Sequence, residues 1–366
     1  MDIWSNEDTG RVWSATPGHN FSKGGGMSSD VKIKCRNLWK IFGADPEGFM
    51  QKYKGNPSPQ DLSNENYIGA VQDVSFDVHA GEILIIMGLS GSGKSTLIRC
   101  ITRLNDPTTG KIDYEGKDLL EATAEELIEL RRHKMGMVFQ SFGLLPHRDV
   151  LSNVAFPLEV QGLKKPEREA KAREMIELVG LQGRESYFPR ELSGGQQQRV
   201  GIARSLAVGP DVWFLDEPFS ALDPLIRAEM QDEFIRLQKL LKKTIVFITH
   251  DFEEAVKLAD RIGIMKDGRM VQLDTPEQIV LHPANEYVAE FSRNAPHERI
   301  VTVRAIMQPI KHKISAENGI DAGALIGKVA KKVLDASEPL PVIENEKVVG
   351  TVDRKAMMDS LFGQDE

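Results

Sequence analysis

Nine residues constrain this chain more than any others: Gly88-Leu89-Ser90-Gly91-Ser92-Gly93-Lys94-Ser95-Thr96. They follow Ile83-Leu84-Ile85-Ile86-Met87, an apolar run that reads as a buried strand. They lead into Leu97-Ile98-Arg99-Cys100-Ile101, with no breaker before Asn105-Asp106-Pro107. Glycines between a buried strand and a helix are what a phosphate-binding loop needs. Small residues let backbone N–H groups curl around clustered negative charge, and the helix N-terminus adds a partial positive charge. Lys94 can reach the outer phosphates, and the Ser95 hydroxyl can face Mg²⁺. The chain is therefore expected to be α/β and to bind a nucleoside triphosphate.

Bulk properties bound the rest. A length of 366 residues suits one large domain or two. A net charge of −8 argues against nonspecific nucleic-acid binding. The two cysteines, Cys35 and Cys100, lie in apolar stretches and suggest no disulfide framework. No apolar run approaches the roughly 20 residues of a membrane-spanning helix. The acidic first residues do not resemble a signal peptide. The expectation is a cytoplasmic chain whose membrane role requires a partner. Residues 1–28, ending near Gly24-Gly25-Gly26, read as a flexible lead.

Along the chain, Val31-Lys32-Ile33-Lys34-Cys35 and residues 70–78 alternate as strands. Residues 44–66, with Asp45-Pro46 and Asn56-Pro57-Ser58-Pro59, read as a surface insertion. Near this entry an aromatic ring could stack on adenine, and Tyr67 and Phe42 are the two candidates. Thr123-Ala124-Glu125-Glu126 is a capping box. A strand at 135–139 ends in Gln140, and residues 141–190 form a largely helical block, with Pro166 opening its clearest helix. Within that block Val150–Val160 is apolar without being a clean strand.

A second glycine pair follows in Leu192-Ser193-Gly194-Gly195-Gln196, again before a helix and again suited to an anion. One triphosphate does not need two cradles in one chain, so the second is expected to serve the nucleotide of another copy. The apolar strand Val212-Trp213-Phe214-Leu215 ends in Asp216-Glu217. Asp216 is suited to Mg²⁺, and Glu217 to activating water. Ser220-Ala221-Leu222-Asp223 follows, and the strand Thr244–Thr249 delivers His250 where α/β folds place ligands.

In this order these motifs resemble the nucleotide-binding subunits of ABC transporters, over about residues 30–295. The resemblance implies a P-loop ATPase fold: a RecA-like parallel sheet, an antiparallel β subdomain and a helical subdomain at about 141–200, within a domain spanning 29–295. It implies that Lys94 and Ser95 hold phosphate and Mg²⁺, with Gln140 and Asp216 also near the metal. Ser193, Gly194, Gly195 and Gln196 would cap the γ-phosphate of the opposite protomer. Glu217 would be the base, His250 the γ-phosphate contact, and Asp223 part of the dimer interface. Partners would be a second copy, a membrane permease whose cytoplasmic helices couple to Gln140, and a solute-binding protein. With ATP and Mg²⁺ it would work at the cytoplasmic face of the cell membrane.

A narrower resemblance is to the ATPase subunits of quaternary-amine importers for glycine betaine, proline betaine, choline or trimethylamine N-oxide. It rests on the glycine loop, the insertion after Gly43, Ala221-Leu222-Asp223-Pro224-Leu225-Ile226-Arg227 and His282-Pro283-Ala284-Asn285. Pro218 departs from the alanine common in that subgroup. Residues 296–366 resemble a single CBS-type repeat, a strand-turn-strand around Asn345 followed by a helix over 355–362. This unit is expected to pair across a homodimer, sensing ionic strength or a nucleotide, or only bracing the dimer. A soluble ABC ATPase with a non-membrane partner is the rival reading. One phosphate loop and no heptad array count against it.

Overall fold

A computed structural model describes residues 30–140, 143–293, 295–310 and 315–362. The expected lead at 1–28 lies outside them. The strands among the described residues are numbered in chain order: β1 Val31–Phe42, β2 Ile68–His79, β3 Ile83–Met87, β4 Thr109–Tyr114, β5 Lys117–Asp118, β6 Met135–Val138, β7 Val212–Asp216, β8 Thr244–Thr249, β9 Arg261–Lys266, β10 Arg269–Asp274, β11 Ile320–Asp321, β12 Leu340–Glu344 and β13 Lys347–Val352.

The central sheet has the order β10-β9-β3-β8-β7-β6. β3 pairs in parallel with β8 and β9, β7 with β8, and β6 with β7, while β9 and β10 form an antiparallel hairpin. Every residue of β3, β7 and β8 is buried. That is why those strands read as continuous apolar runs, since both faces of a parallel sheet are covered. The phosphate loop leaves the C-terminal end of β3 and enters the helix Lys94–Ile101, where ligands bind in open α/β sheets. β7 and β8 run beside it and bring Asp216, Glu217 and His250 to the same edge.

A second, antiparallel sheet of order β2-β1-β4-β5 packs over the helix Lys94–Ile101. Ile33, Cys35, Val74 and Ile112 share one core with Leu97, Ile98 and Cys100. Both cysteines are buried and free, and burial raises both thiols above the usual thiol range. The helical block is made of Val150–Val160, Lys165–Leu178 and Gly194–Ala207. Val150–Val160, apolar in sequence, is a helix. Asp149 caps it, and Pro157 and the apolar side chains facing several neighbours obscure its period.

The insertion after Gly43 is more than surface loop. It folds as two short helices, Pro46–Lys52 and Pro59–Asn64, each with proline in its first turn. Asp45 caps the first, and a Ser58/Asp61 capping box caps the second. Their Phe49, Met50 and Leu62 bury against Trp39 and Ile41 of β1, forming a separate small core.

The C-terminal segment forms the three-stranded sheet β11-β12-β13 with the helices Ile326–Asp335 and Arg354–Phe362. Asn345 and Glu346 both take left-handed φ values, 48° and 63°, as a two-residue hairpin turn requires. The unit does not depend on a second copy to cover all of its apolar face. Its core of Ile300, Val301, Ile326 and Val342 includes Val280 of the helix Pro276–Leu281, and Phe252, Val256 and Leu281 pack against it. Glu277 Oε1 accepts hydrogen bonds from the Thr302 amide at 2.6 Å and the Thr302 hydroxyl at 2.8 Å across this seam.

Candidate nucleotide site

The phosphate loop demands glycine at its two ends. Gly88 has φ 150° and Gly93 has φ 98°, values that side chains resist. A Cβ at Gly93 would stand 2.0 Å from the Ala70 carbonyl oxygen, and one at Gly88 2.2 Å from that of Met265. Lys94 is buried and donates from Nζ to the carbonyls of Gly88 at 2.8 Å and Leu89 at 3.0 Å. Its ammonium is thus folded into the loop, where an incoming phosphate oxygen would compete for it. Burial pulls its pKa down from the usual lysine value, and the negative charges of Glu217 and Asp216 oppose that pull.

A cleft of about 770 Å³ opens over this loop. It is lined by Leu89, Ser90, Gly91, Gly93, Lys94, Ser95 and Thr96, and by Gln140, Glu217 and His250. Residues far apart in sequence are thus brought together. The Ser95 hydroxyl donates to Asp216 Oδ1 at 2.8 Å. Burial raises the Asp216 carboxyl above its ordinary range, the Ser95 hydrogen bond opposing this. A buried carboxylate beside a hydroxyl is a hard-oxygen donor pair, which suits Mg²⁺. Glu217 Oε2 lies 3.3 Å from both Gln140 Nε2 and His250 Nδ1. Glu217 itself has φ 46°, uncommon for a residue other than glycine. The chain turns sharply there as it leaves β7, and the Glu217 amide still bonds to the Ile248 carbonyl at 3.0 Å.

The other wall comes from Ile68, Gly69, Ala70, Gln72, Asp267 and Gly268, which sequence reasoning missed. Asp267-Gly268 is the two-residue turn of the β9–β10 hairpin, both residues in the left-handed region, and the Asp-Gly pair is the signal the sequence offered for it. The turn is tied down: the Gly268 amide donates to the Ser92 carbonyl at 3.1 Å, and the Gln72 amide to the Gly268 carbonyl at 2.8 Å.

Neither aromatic candidate, Tyr67 or Phe42, lines the cleft, and Tyr67 is engaged elsewhere. Its ring stacks on Phe49 at 4.2 Å between centroids, and its hydroxyl bonds to the Asp45 backbone at 3.2 Å. The insertion's own core has claimed it. Phe42 is half exposed and is the cross-strand partner of Ile68, which does line the cleft.

Ser193, Gly194, Gly195, Gln196 and Asp223 do not line the cleft. Ser193 caps the helix Gly194–Ala207: its Oγ accepts from the Gln196 amide, and Gln196 Oε1 accepts from the Ser193 amide. The second glycine stretch is therefore held by a capping box, outside the cleft of its own chain. Asp223 likewise caps the helix Pro224–Leu241.

Fold and site together define a P-loop ATPase of the cassette type. The ABC transporter family model matches residues 71–220. The trimethylamine N-oxide transport system ATP-binding protein of Ruegeria pomeroyi is 56% identical over 92% of this chain and 98% of its own. The glycine betaine transport ATP-binding protein of Bacillus subtilis is 44% identical over 88% of this chain and 76% of its own. A bacterial ABC transporter cassette solved as a dimer superimposes with a TM-score of 0.56 at 33% identity, covering 67% of this chain and 98% of that one. The chain belongs to the ATP-hydrolysing, ATP-binding subunits of ABC transport systems. No helix among the described residues is long and apolar enough to cross a membrane.

Proposed function

We propose that this subunit powers uptake of a small methylated amine or betaine, trimethylamine N-oxide first among them, from the cytoplasmic face of the membrane. The likeness to the Ruegeria pomeroyi protein over nearly its whole length supports that choice of solute. Two copies bind two ATP between residues 88–96 of one and Ser193-Gly194-Gly195-Gln196 of the other. A permease and a solute-binding protein complete the assembly, with Gln140 and the helical block as the coupling side.

Lys94 and the loop amides bind the phosphates. Ser95 and Asp216 would hold Mg²⁺, with Gln140 beside them, and the ion would supply charge neutralisation on the phosphates. Glu217 accepts a proton from the attacking water. Gln140 orients that water, and His250 holds the γ-phosphate and the Glu217 carboxylate in register. Phe42, beside Ile68, offers the adenine a flat apolar surface. Asp223 lies in the interface between the two copies.

One observation carries the catalytic part: Gln140 and His250 converge on the same Glu217 oxygen at the mouth of the phosphate loop. Glu217→Gln tests it. The variant is expected to bind ATP normally and to hydrolyse it about 10²–10⁴-fold more slowly; hydrolysis at the parent rate would reject Glu217 as the base. For the solute, ATPase activity of the vesicle-reconstituted assembly should be stimulated by trimethylamine N-oxide more than by glycine betaine. The opposite order would reassign the solute.

A further inference from the structure

The loop after Glu217 is held at both ends. At its start, the Ser220 hydroxyl donates to the Glu217 carbonyl at 3.0 Å. At its end, the Leu222 carbonyl accepts from Arg227 Nη2 at 3.2 Å. Arg227 stands one turn inside the helix Pro224–Leu241. Its Nη1 lies 3.6 Å from Asp251 Oδ2. Asp251 follows His250 directly and caps the helix Phe252–Leu258, its Oδ1 accepting from the Glu254 amide at 3.1 Å. One turn further along, Gln231 Nε2 donates to Glu254 Oε1 at 3.2 Å, so the two helices are joined by two polar contacts in series. The Arg227 Nε is buried and has no hydrogen-bond partner. The guanidinium thus makes these two contacts while its buried Nε donor is left unsatisfied.

We infer that Arg227 is a positioning residue for hydrolysis, linking the loop that carries Glu217 to the helix cap beside His250. It does not line the cleft. It acts by keeping Glu217 and His250 at a fixed separation, and it carries any displacement of Leu222, next to Asp223, to His250. The inference rests on the proposed roles of Glu217 and His250. Only geometry is supplied, so the barrier to chemistry should rise while ATP binding stays as it is; small misplacements of reacting groups are costly.

The test compares steady-state ATP hydrolysis by the full-length parent, Arg227→Met, Asp251→Asn, the double variant and Glu217→Gln. Asp251→Asn keeps a side-chain oxygen for the helix cap, so it preserves the fold if Arg227→Met does not. Arg227→Met is expected to lower kcat about 10-fold with KM within about twofold, and Asp251→Asn to lower kcat in the same sense. The double variant should be no slower than Arg227→Met alone, because both changes remove one contact. Unchanged kcat in both single variants, a change confined to KM, or multiplying effects in the double variant would overturn the inference. If Glu217→Gln is nearly inactive while Arg227→Met matches the parent, only the positioning role fails. If Glu217→Gln itself hydrolyses at the parent rate, the site reading beneath it fails.

Discussion

At the scale of single residues, the two aromatic candidates make opposite predictions. Phe42→Ala should weaken ATP binding by about 1–3 kcal/mol, seen as a raised KM, with little change in melting temperature. Tyr67→Ala should leave the KM alone and lower stability by about 3 kcal/mol, because its ring is packed on Phe49. A raised KM in the Tyr67 variant alone would reverse the assignment. Glu254 gives a pH signature. Burial raises its carboxyl above the ordinary range. The folded chain then keeps this proton to higher pH than the unfolded chain does, so stability falls as pH rises above the unfolded value near about 4.3. Glu254→Gln keeps an acceptor for Gln231. It should be more stable than the parent at neutral and alkaline pH, and should converge with it in acid. An offset independent of pH, in thermal melts across that range, would contradict this.

At the scale of elements, legibility followed the chemistry. The phosphate loop, the second glycine cradle at Leu192–Gln196, Asp216-Glu217 and His250 were readable because phosphate binding and catalysis fix residue type and spacing. The elements themselves were readable where one signal dominated: an unbroken apolar run in β3, and Pro166 at the start of the helix Lys165–Leu178. Val150–Val160 was not, since it is buried on several sides and interrupted by Pro157. The insertion's helices were too short for a period to emerge. Their caps, Asp45-Pro46 and Ser58-Pro59-Gln60-Asp61, were the only signals. What no pattern could show was tertiary: the left-handed turn at Glu217, the Asp267-Gly268 turn against the phosphate loop, and Tyr67 facing Phe49 instead of the cleft. The Ser193 cap makes an element-scale prediction. Ser193→Ala should destabilise the helix Gly194–Ala207 by about 0.5–2 kcal/mol in denaturant titration. No loss would show that glycine and Gln196 suffice to start that helix.

At the scale of the whole molecule, the C-terminal unit and the ATPase domain share a seam. Cutting the chain after residue 295 would expose Phe252, Val256, Val280 and Leu281. The helix Phe252–Leu258 in that seam begins beside His250. Truncation should therefore lower the melting temperature and alter hydrolysis even at constant salt; an unchanged melt and rate would show that the unit is merely appended. We propose that the cleft at residues 88–96 is half a site, and that the Ser193 loop, which does not line it, completes the site of another copy. Mixing tests this most directly. Lys94→Ala lacks a working phosphate loop but keeps the Ser193 loop, and Ser193→Arg has the reverse defect. Each should be inactive alone. Mixed, they form dimers with one intact composite site, so ATP hydrolysis should reappear. If each variant's activity is unchanged by mixing, the site is complete within one chain and the claim is wrong.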